Sequence, residues 1–152
     1  MIFRFDQGIA FFLPNTTWLQ PPGFVHQMIT KTWQPNAYSV ELSPSTSPIV
    51  ASAQVSDDSL TMRIQVVNPT FDPANFTVTL NGSGFIPSSV CDLWTLSEPS
   101  EIQPIDKTLG NTPFQPTLIS PMLTYAAWPE GSLTFTWAVP AYTFQILVLY
   151  AK

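Results

Sequence analysis

A mainly β fold, an antiparallel β-sandwich of the jelly-roll type, is predicted by three features of the sequence. Sixteen prolines against six glycines are spread along 152 residues, and each proline removes a backbone donor and clashes with the preceding helical turn, so long helices are excluded. From Tyr38 onward apolar and polar residues alternate with a period of two, the pattern of strands that keep one face in a core. The composition, 45% hydrophobic and 13% aromatic against 10% charged, supplies that core, and it is far too apolar for a disordered chain. At this length one ordinary domain fits, and a complete (β/α)8 barrel, which takes about 250 residues, does not.

The elements follow in chain order. Gly8 to Leu13 is an unbroken apolar run closed by Pro14, which reads as a strand buried on both faces, the kind found in parallel sheets covered by helices. After Pro21-Pro22-Gly23, the residues Phe24, Val25, Met28, Ile29 and Trp33 recur at spacings of three and four. They predict an amphipathic helix with proline at its start and Pro35-Asn36 beyond its end. Strand, loop and helix make one βα unit, which cannot close a sheet by itself. Alternation then predicts strands at Tyr38 to Leu42, Leu60 to Val66 and Phe76 to Leu80, with further strands at Ile49 to Ser56, Ser89 to Leu96, Thr117 to Leu123, Ser132 to Ala138 and Tyr142 to Ala151. Asp57-Asp58-Ser59 is a hairpin-turn candidate, since aspartate tolerates the left-handed region or bonds nearby amides. About eight short strands separated by Pro, Gly, Asn and Ser turns describe the sandwich. Pro99 to Pro116 is the longest stretch without period, and such a loop is either functional or packed against something else.

Charge and cysteine content narrow the function. Five Lys plus Arg against ten Asp plus Glu give a net charge of −5, so no basic surface exists to neutralise phosphates and nucleic acid is excluded as a partner. The single cysteine, Cys91, rules out an internal disulfide and a multi-thiolate metal site. No apolar run reaches the 18 or so residues of a membrane span, so no membrane partner is expected. Sequons at Asn15, Asn75 and Asn81, with Asn68 disqualified by the following proline, point to a secreted or lysosomal glycoprotein. Met1 to Asp6 lacks the features of a signal peptide, so export would need upstream residues.

Hydrolysis of a glycoside needs two carboxyl groups ~5 to 9 Å apart in different environments. Of the four glutamates, Glu41 falls on the polar side of a strand, Glu98 and Glu101 lie in a Ser/Pro loop, and Glu130 occupies a Pro-Glu-Gly turn. All read as solvated surface acids, as do Asp57 and Asp58. His26 has no Gly-x-Ser-x-Gly elbow to serve, and reads as structural or surface; Cys91 reads as core. No catalytic and no metal-binding residue is assigned. Sugar rings stack on exposed aromatic side chains. Trp33 and Trp137 fit core-facing positions, Trp94 lies in a predicted strand, and Trp18 and Trp128 are better placed for exposure, although core or interdomain packing is the favoured role for both.

The order of the pieces resembles a known family. Asp6-Gln7-Gly8-Ile9-Ala10-Phe11-Phe12-Leu13-Pro14-Asn15, then Trp18-Leu19-Gln20-Pro21-Pro22-Gly23-Phe24-Val25-His26-Gln27-Met28-Ile29, then Ala51-Ser52-Ala53-Gln54 and Arg63-Ile64-Gln65-Val66-Val67-Asn68 resemble the C-terminal end of α-L-arabinofuranosidases of glycoside hydrolase family 51. The closing run Pro140 to Leu149 looks like that family's last strand. The resemblance covers essentially the whole chain.

It implies a βα remnant of a (β/α)8 barrel at residues 1–36, followed by a C-terminal jelly-roll sandwich at residues 37–152. Its parent chemistry is retaining hydrolysis of terminal α-L-arabinofuranosyl groups, with no cofactor and no metal. The strands carrying the two catalytic glutamates would lie upstream, so this chain alone is expected to be inactive. Loops after barrel strands line active sites, which makes Thr16, Thr17 and Trp18 the substrate-side candidates. Asn15 stands beside them, and a glycan there conflicts with a position in a cleft. The implied partners are a barrel domain of the same or a parent polypeptide and arabinose-containing polysaccharide. Two rivals stand beside this reading: a free-standing carbohydrate-binding module, and a structural protein whose exposed βα unit drives self-assembly.

Overall fold

The computed structural model describes residues 8–43, 47–81, 84–97, 111–129 and 131–152. In chain order these hold β1 (Ala10–Leu13), β2 (Thr16–Leu19), α1 (Pro21–Thr32), β3 (Asn36–Tyr38), β4 (Val50–Val55), β5 (Thr61–Asn68), β6 (Ala74–Thr79), β7 (Val90–Ser97), β8 (Met122–Ala127), β9 (Thr134–Val139) and β10 (Thr143–Tyr150). Every pairing between these strands is antiparallel. The main sheet has the order β3-β4-β5-β10-β7-β8, while β6-β9 and β1-β2 form separate two-stranded ribbons. The mainly β, antiparallel character read from the alternation is what the chain adopts.

Burial of the last strand organises the layers. β10 lies between β5 and β7, and Gln145 to Leu149 along it are all buried. Side chains alternate across a strand, so Leu147 and Leu149 enter a core with Met62, Ile64, Val66, Trp137 and Val139, on the side covered by the β6-β9 ribbon. Ile146 and Val148 point the other way, into a second core with Phe24 and Met28 of α1 and with Leu96 and Ile119. An apolar run without alternation is thus the signature of a strand covered on both sides. Polar groups inside the first core are paired: Trp137 Nε1 donates to Gln145 Oε1 at 2.9 Å, and Gln145 Nε2 donates to Thr95 Oγ1 at 3.1 Å.

The helix is formed as its spacing predicts, beginning at Pro21. Pro21 and Pro22 occupy its first positions, where their missing amides cost nothing. Gly23, Phe24, Met28 and Thr32 are buried against the sheet, whereas His26 and Gln27 face outward. At the far end Trp33 leaves helical geometry (ψ 138°) ahead of Pro35, and Lys31 stands in the last turn, where a cation suits the helix dipole.

The first strand differs from the reading of its sequence. Residues 8–13 do not form a parallel strand buried on both faces: β1 folds back through Pro14 and Asn15 onto β2, with Phe11 opposite Trp18 and Leu13 opposite Thr16. Ile9, Phe12 and Leu13 are exposed, Phe12 by 81%. The loop expected between strand and helix is therefore the second strand of a hairpin. Three smaller corrections follow. β3 stops at Tyr38, leaving Val40 and Leu42 outside it and exposed. β8 begins at Met122, later than the apolar Thr117 to Leu123 segment suggested. Arg63, on the polar row of an alternating strand, is 2% exposed, with its guanidinium held by Gln54 and Gln65. The Asp57-Asp58-Ser59 turn stands where expected, with Ser59 and not an aspartate in the left-handed region (φ 57°). Most of the aperiodic stretch Pro99 to Pro116, residues 99–110, lies outside the described residues.

Candidate functional site

The substrate-side candidates come together on β2, and the hairpin fixes their orientations. Thr16 and Thr17 are exposed. Trp18, for which packing is the favoured role despite its loop position, is 5% exposed: its ring stacks on Phe11 with centroids 5.9 Å apart, and its Nε1 donates to the Asn111 carbonyl at 3.1 Å. Asn111 anchors this end of the molecule. Gln20 Nε2 donates to the same carbonyl at 2.6 Å, and the Asn111 amide returns a bond to Gln20 Oε1 at 3.0 Å. The Asn111 side chain donates to the Leu19 and Ile119 carbonyls and accepts from the Ile119 amide. Every polar atom of a buried asparagine is thereby satisfied. The helix is seated against the hairpin by close approach: a Cβ on Gly23 would lie 2.5 Å from the Ile9 carbonyl oxygen, which accepts the Gln20 amide at 3.0 Å.

The other singled-out residues scatter. Asn15, Asn75 and Asn81 are all exposed, Asn15 in the hairpin turn and Asn75 beside Thr77 on the outer side of the β6-β9 ribbon. Trp128 is buried, in the packing role favoured for it; it stacks on Phe135 and donates through Nε1 to the Ser132 carbonyl at 2.8 Å. Trp33, expected in the core, is exposed, because the helix ends one residue before it. Trp137 is core, as its alternation indicates.

No pair of groups suited to glycoside hydrolysis is assembled among the described residues. Glu41 is exposed, and Glu98, Glu101 and Glu130 lie outside the described residues. Asp57 accepts from Asn36 Nδ2. Asp58 is held below the usual carboxylate range by the Ser56 hydroxyl and then by the Leu60 amide; both aspartates serve the turn. His26 is a surface residue of α1. Cys91 is fully buried, and burial, with the charge of Asp92 next, pushes its thiol up to about 11, the opposite of an activated nucleophile. Among the described residues no group of three His, Cys, Asp or Glu side chains could hold a metal, and no helix is long and apolar enough to cross a membrane.

A groove of about 810 Å³ opens at the N-terminal end of α1, between Pro21, Val67, Phe71, Leu96, Ile119, Tyr142 and Phe144. Phe71 meets Tyr142 edge to face at 4.7 Å. Its polar lining is Asn68, Ser97 and Thr143, and Asn68 is already committed to the Asp72, Val139 and Pro140 carbonyls and to Thr70. The groove can enclose apolar surface but offers no acid or base.

Two features were invisible in the linear pattern. Arg63 is buried with its terminal nitrogens on Gln54 Oε1 and Gln65 Oε1 and with Nε unpaired, and burial lowers its pKa. On the same sheet face, Tyr150 donates to Asp92 Oδ2 at 2.8 Å. Arg63 meets Gln54 through the β4-β5 pairing, and Tyr150 meets Asp92 because β10 lies beside β7.

No protein-family model matches the sequence, and comparison with curated proteins finds no match either. The fold does have counterparts among solved structures. The arabinose-bound MgGH51 α-L-arabinofuranosidase superposes with a TM-score of 0.80 at 17% identity over 98% of this chain and 22% of its own. The α-L-arabinofuranosidase of Thermotoga maritima, in its arabinose complex, gives 0.72 at 15% identity, over 94% and 31%. The GH51 arabinofuranosidase of Xanthomonas axonopodis pv. citri gives 0.68 at 19%, over 93% and 28%. The chain therefore has the fold of one portion of the GH51 α-L-arabinofuranosidases and spans between 22% and 31% of the length of these structures.

Proposed function

We propose that this chain is the non-catalytic C-terminal portion of an α-L-arabinofuranosidase-like glycoside hydrolase, supporting a barrel that cleaves terminal α-L-arabinofuranosyl groups. The observation that carries this reading is the asymmetry of coverage: nearly all of this chain matches under a third of each arabinofuranosidase. It is supported by the exposed Ile9, Phe12 and Leu13 on a two-stranded ribbon, a small apolar surface that a neighbouring domain would cover. In this reading residues 1–36 derive from the barrel and residues 37–152 form its jelly-roll companion. Thr16 and Thr17 then lie on the substrate side, with Trp18 behind them as their support. The same reading makes the polypeptide a secreted glycoprotein carrying sugar at Asn75 and Asn81, while Asn15 stays bare if the barrel lies against the hairpin. The lysosomal address gains no support from the fold.

A second reading, a free-standing assembly protein, is favoured by the same exposed Phe12 edge, which a second copy could cover. Sequencing the transcript upstream of the Met1 codon tests between the two. An open frame continuing into alternating strands and helices with two glutamates is the expected result. An in-frame stop immediately upstream would overturn the hydrolase-portion reading.

A further inference from the structure

We infer that β8, an edge strand of the six-stranded sheet, pairs antiparallel with β8 of a second copy of this chain, about a two-fold axis at Tyr125. β8 is hydrogen-bonded to β7 on one side and to no strand among the described residues on the other. The Trp128 amide donates to the Ser89 carbonyl at 3.0 Å, which sets the phase of the ladder, because residues that bond the partner strand alternate along an antiparallel strand. Met122, Thr124 and Ala126 therefore direct their backbone groups to β7. Leu123, Tyr125 and Ala127 present theirs outward. Such a row is a template for another strand, and proteins blunt it with charge, proline or short length. β8 has none of these devices: its six residues, Met-Leu-Thr-Tyr-Ala-Ala, include no charge and no proline, and Met122, Leu123 and Tyr125 are 57%, 41% and 75% exposed. The edge strand on the other side of the sheet, β3, is only three residues long.

Self-complementarity and charge identify the occupant as a second copy. Antiparallel pairing about Tyr125 sets each Tyr125 opposite its counterpart and each Leu123 opposite an Ala127, so every outward amide meets an outward carbonyl. Large side chains then face small ones, and the two tyrosine rings form a cross-strand aromatic pair. No Asp, Glu, Lys, Arg or His occurs between residues 108 and 129, although the chain carries −5. Two like-charged molecules thus meet where contact adds least to their repulsion. The Asp92 carboxylate lies one strand inward, opposite Tyr125. It would stand three strand spacings, ~14 Å, from its counterpart, beyond the ~8 Å Debye length at physiological salt. A seam of one strand is small against the roughly 1,200 to 2,000 Å² of a stable interface, so the association is weak and reversible. Two-fold pairing consumes both β8 edges and closes at a dimer. This inference does not rest on the proposed barrel-supporting role, and its failure would leave that role untouched.

The test is sedimentation of the 152-residue chain from about 5 to about 500 μM, with amide exchange followed over the same range. A monomer–dimer equilibrium is expected, in which the outward amides of Leu123, Tyr125 and Ala127 exchange more slowly as concentration rises. Association should be tighter in about 300 mM salt than in about 20 mM, because screening reduces the repulsion between the copies. Tyr125→Lys, which sets like charges opposite one another, should weaken the dimer about tenfold or more. Ala127→Pro, which removes an outward amide that bonds nothing within the ladder, should do the same, and both variants should melt like the parent in dilute solution. Phe12→Lys, on the hairpin, should leave the dimer unchanged. A monomer at every concentration would overturn the inference, as would a dimer indifferent to Tyr125→Lys and Ala127→Pro, protection that rises at the amides of β1 instead, or growth beyond the dimer.

Discussion

Gln20 and Asn111, separated by 91 positions, exchange two hydrogen bonds: Gln20 Nε2 to the Asn111 carbonyl at 2.6 Å and the Asn111 amide to Gln20 Oε1 at 3.0 Å. Gln20 is the residue between β2 and α1, so this pair ties the hairpin and helix to the segment leading into Ile119 and the second core. The apolar edge of β1 is presented to solvent on a rigidly seated ribbon and not on a loose arm.

Substitution of Asn111 by Ala removes three buried bonds, to the Leu19 and Ile119 carbonyls and from the Ile119 amide, but leaves both Gln20 bonds, which use Asn111 backbone. With buried unpaired groups costing about 1 to 3 kcal/mol each, Asn111→Ala is expected to lower stability by about 3 kcal/mol or more in urea titration. Gln20→Ala removes the complementary set and should cost about 2 kcal/mol.

Gly23→Ala tests the seating of the hairpin. Alanine in place of glycine ordinarily favours a helix by about 1 kcal/mol, but here its Cβ meets the Ile9 carbonyl at 2.5 Å and the Ile9 and Leu19 side chains at 3.1 Å. A net loss of about 1 to 3 kcal/mol is expected, together with faster amide exchange at Gln20, whose N–H bonds that carbonyl.

Arg63 is a buried cation held by two neutral amides, with Nε unpaired. Removing Arg63 alone leaves Gln54 and Gln65 without the donors it supplies, so Arg63→Met is expected to lower stability by about 1 to 3 kcal/mol, whereas Arg63→Met combined with Gln54→Leu and Gln65→Leu is expected to match the parent in thermal melting. Arg63→Lys keeps the charge but cannot hold both glutamines in one planar fork, and should lose about 1 to 3 kcal/mol.

Alkaline pH acts through two groups. Folding raises Cys91 from an ordinary 9.0 to about 11, chiefly by burial. It raises Tyr150 from 10.0 to about 12, by burial first and then by its bond to Asp92. Both are neutral acids whose folded values lie above the unfolded ones, so their contribution is complete below pH 9 and is lost as pH rises through 11 and 12. The Tm is expected to hold from pH 7 to 9 and fall beyond. In Cys91→Ala the fall between 9 and 11 should be shallower.

Local pattern carried much of the fold and little of the site. The helix was legible because Phe24, Met28 and the flanking prolines specify it within a dozen residues, and β10 because Ile146 to Leu149 is apolar on both faces. The apolar run of β1 reads as a parallel strand enclosed in a sheet because local hydropathy does not record that it turns back at Pro14 and Asn15 onto β2. Trp18 and Trp128 take the packing role favoured for them, but what buries them, Asn111 and Phe11 for one and Ser132 and Phe135 for the other, does not follow from local alternation. Asp92, Tyr125 and Tyr150 meet only through strand order, which no short-range period records.

The most direct measurement is the release of product from an aryl α-L-arabinofuranoside by the purified 152-residue chain. With no carboxylate pair assembled among the described residues, the chain is predicted to show no turnover above buffer; sustained turnover that survives repurification would contradict the account.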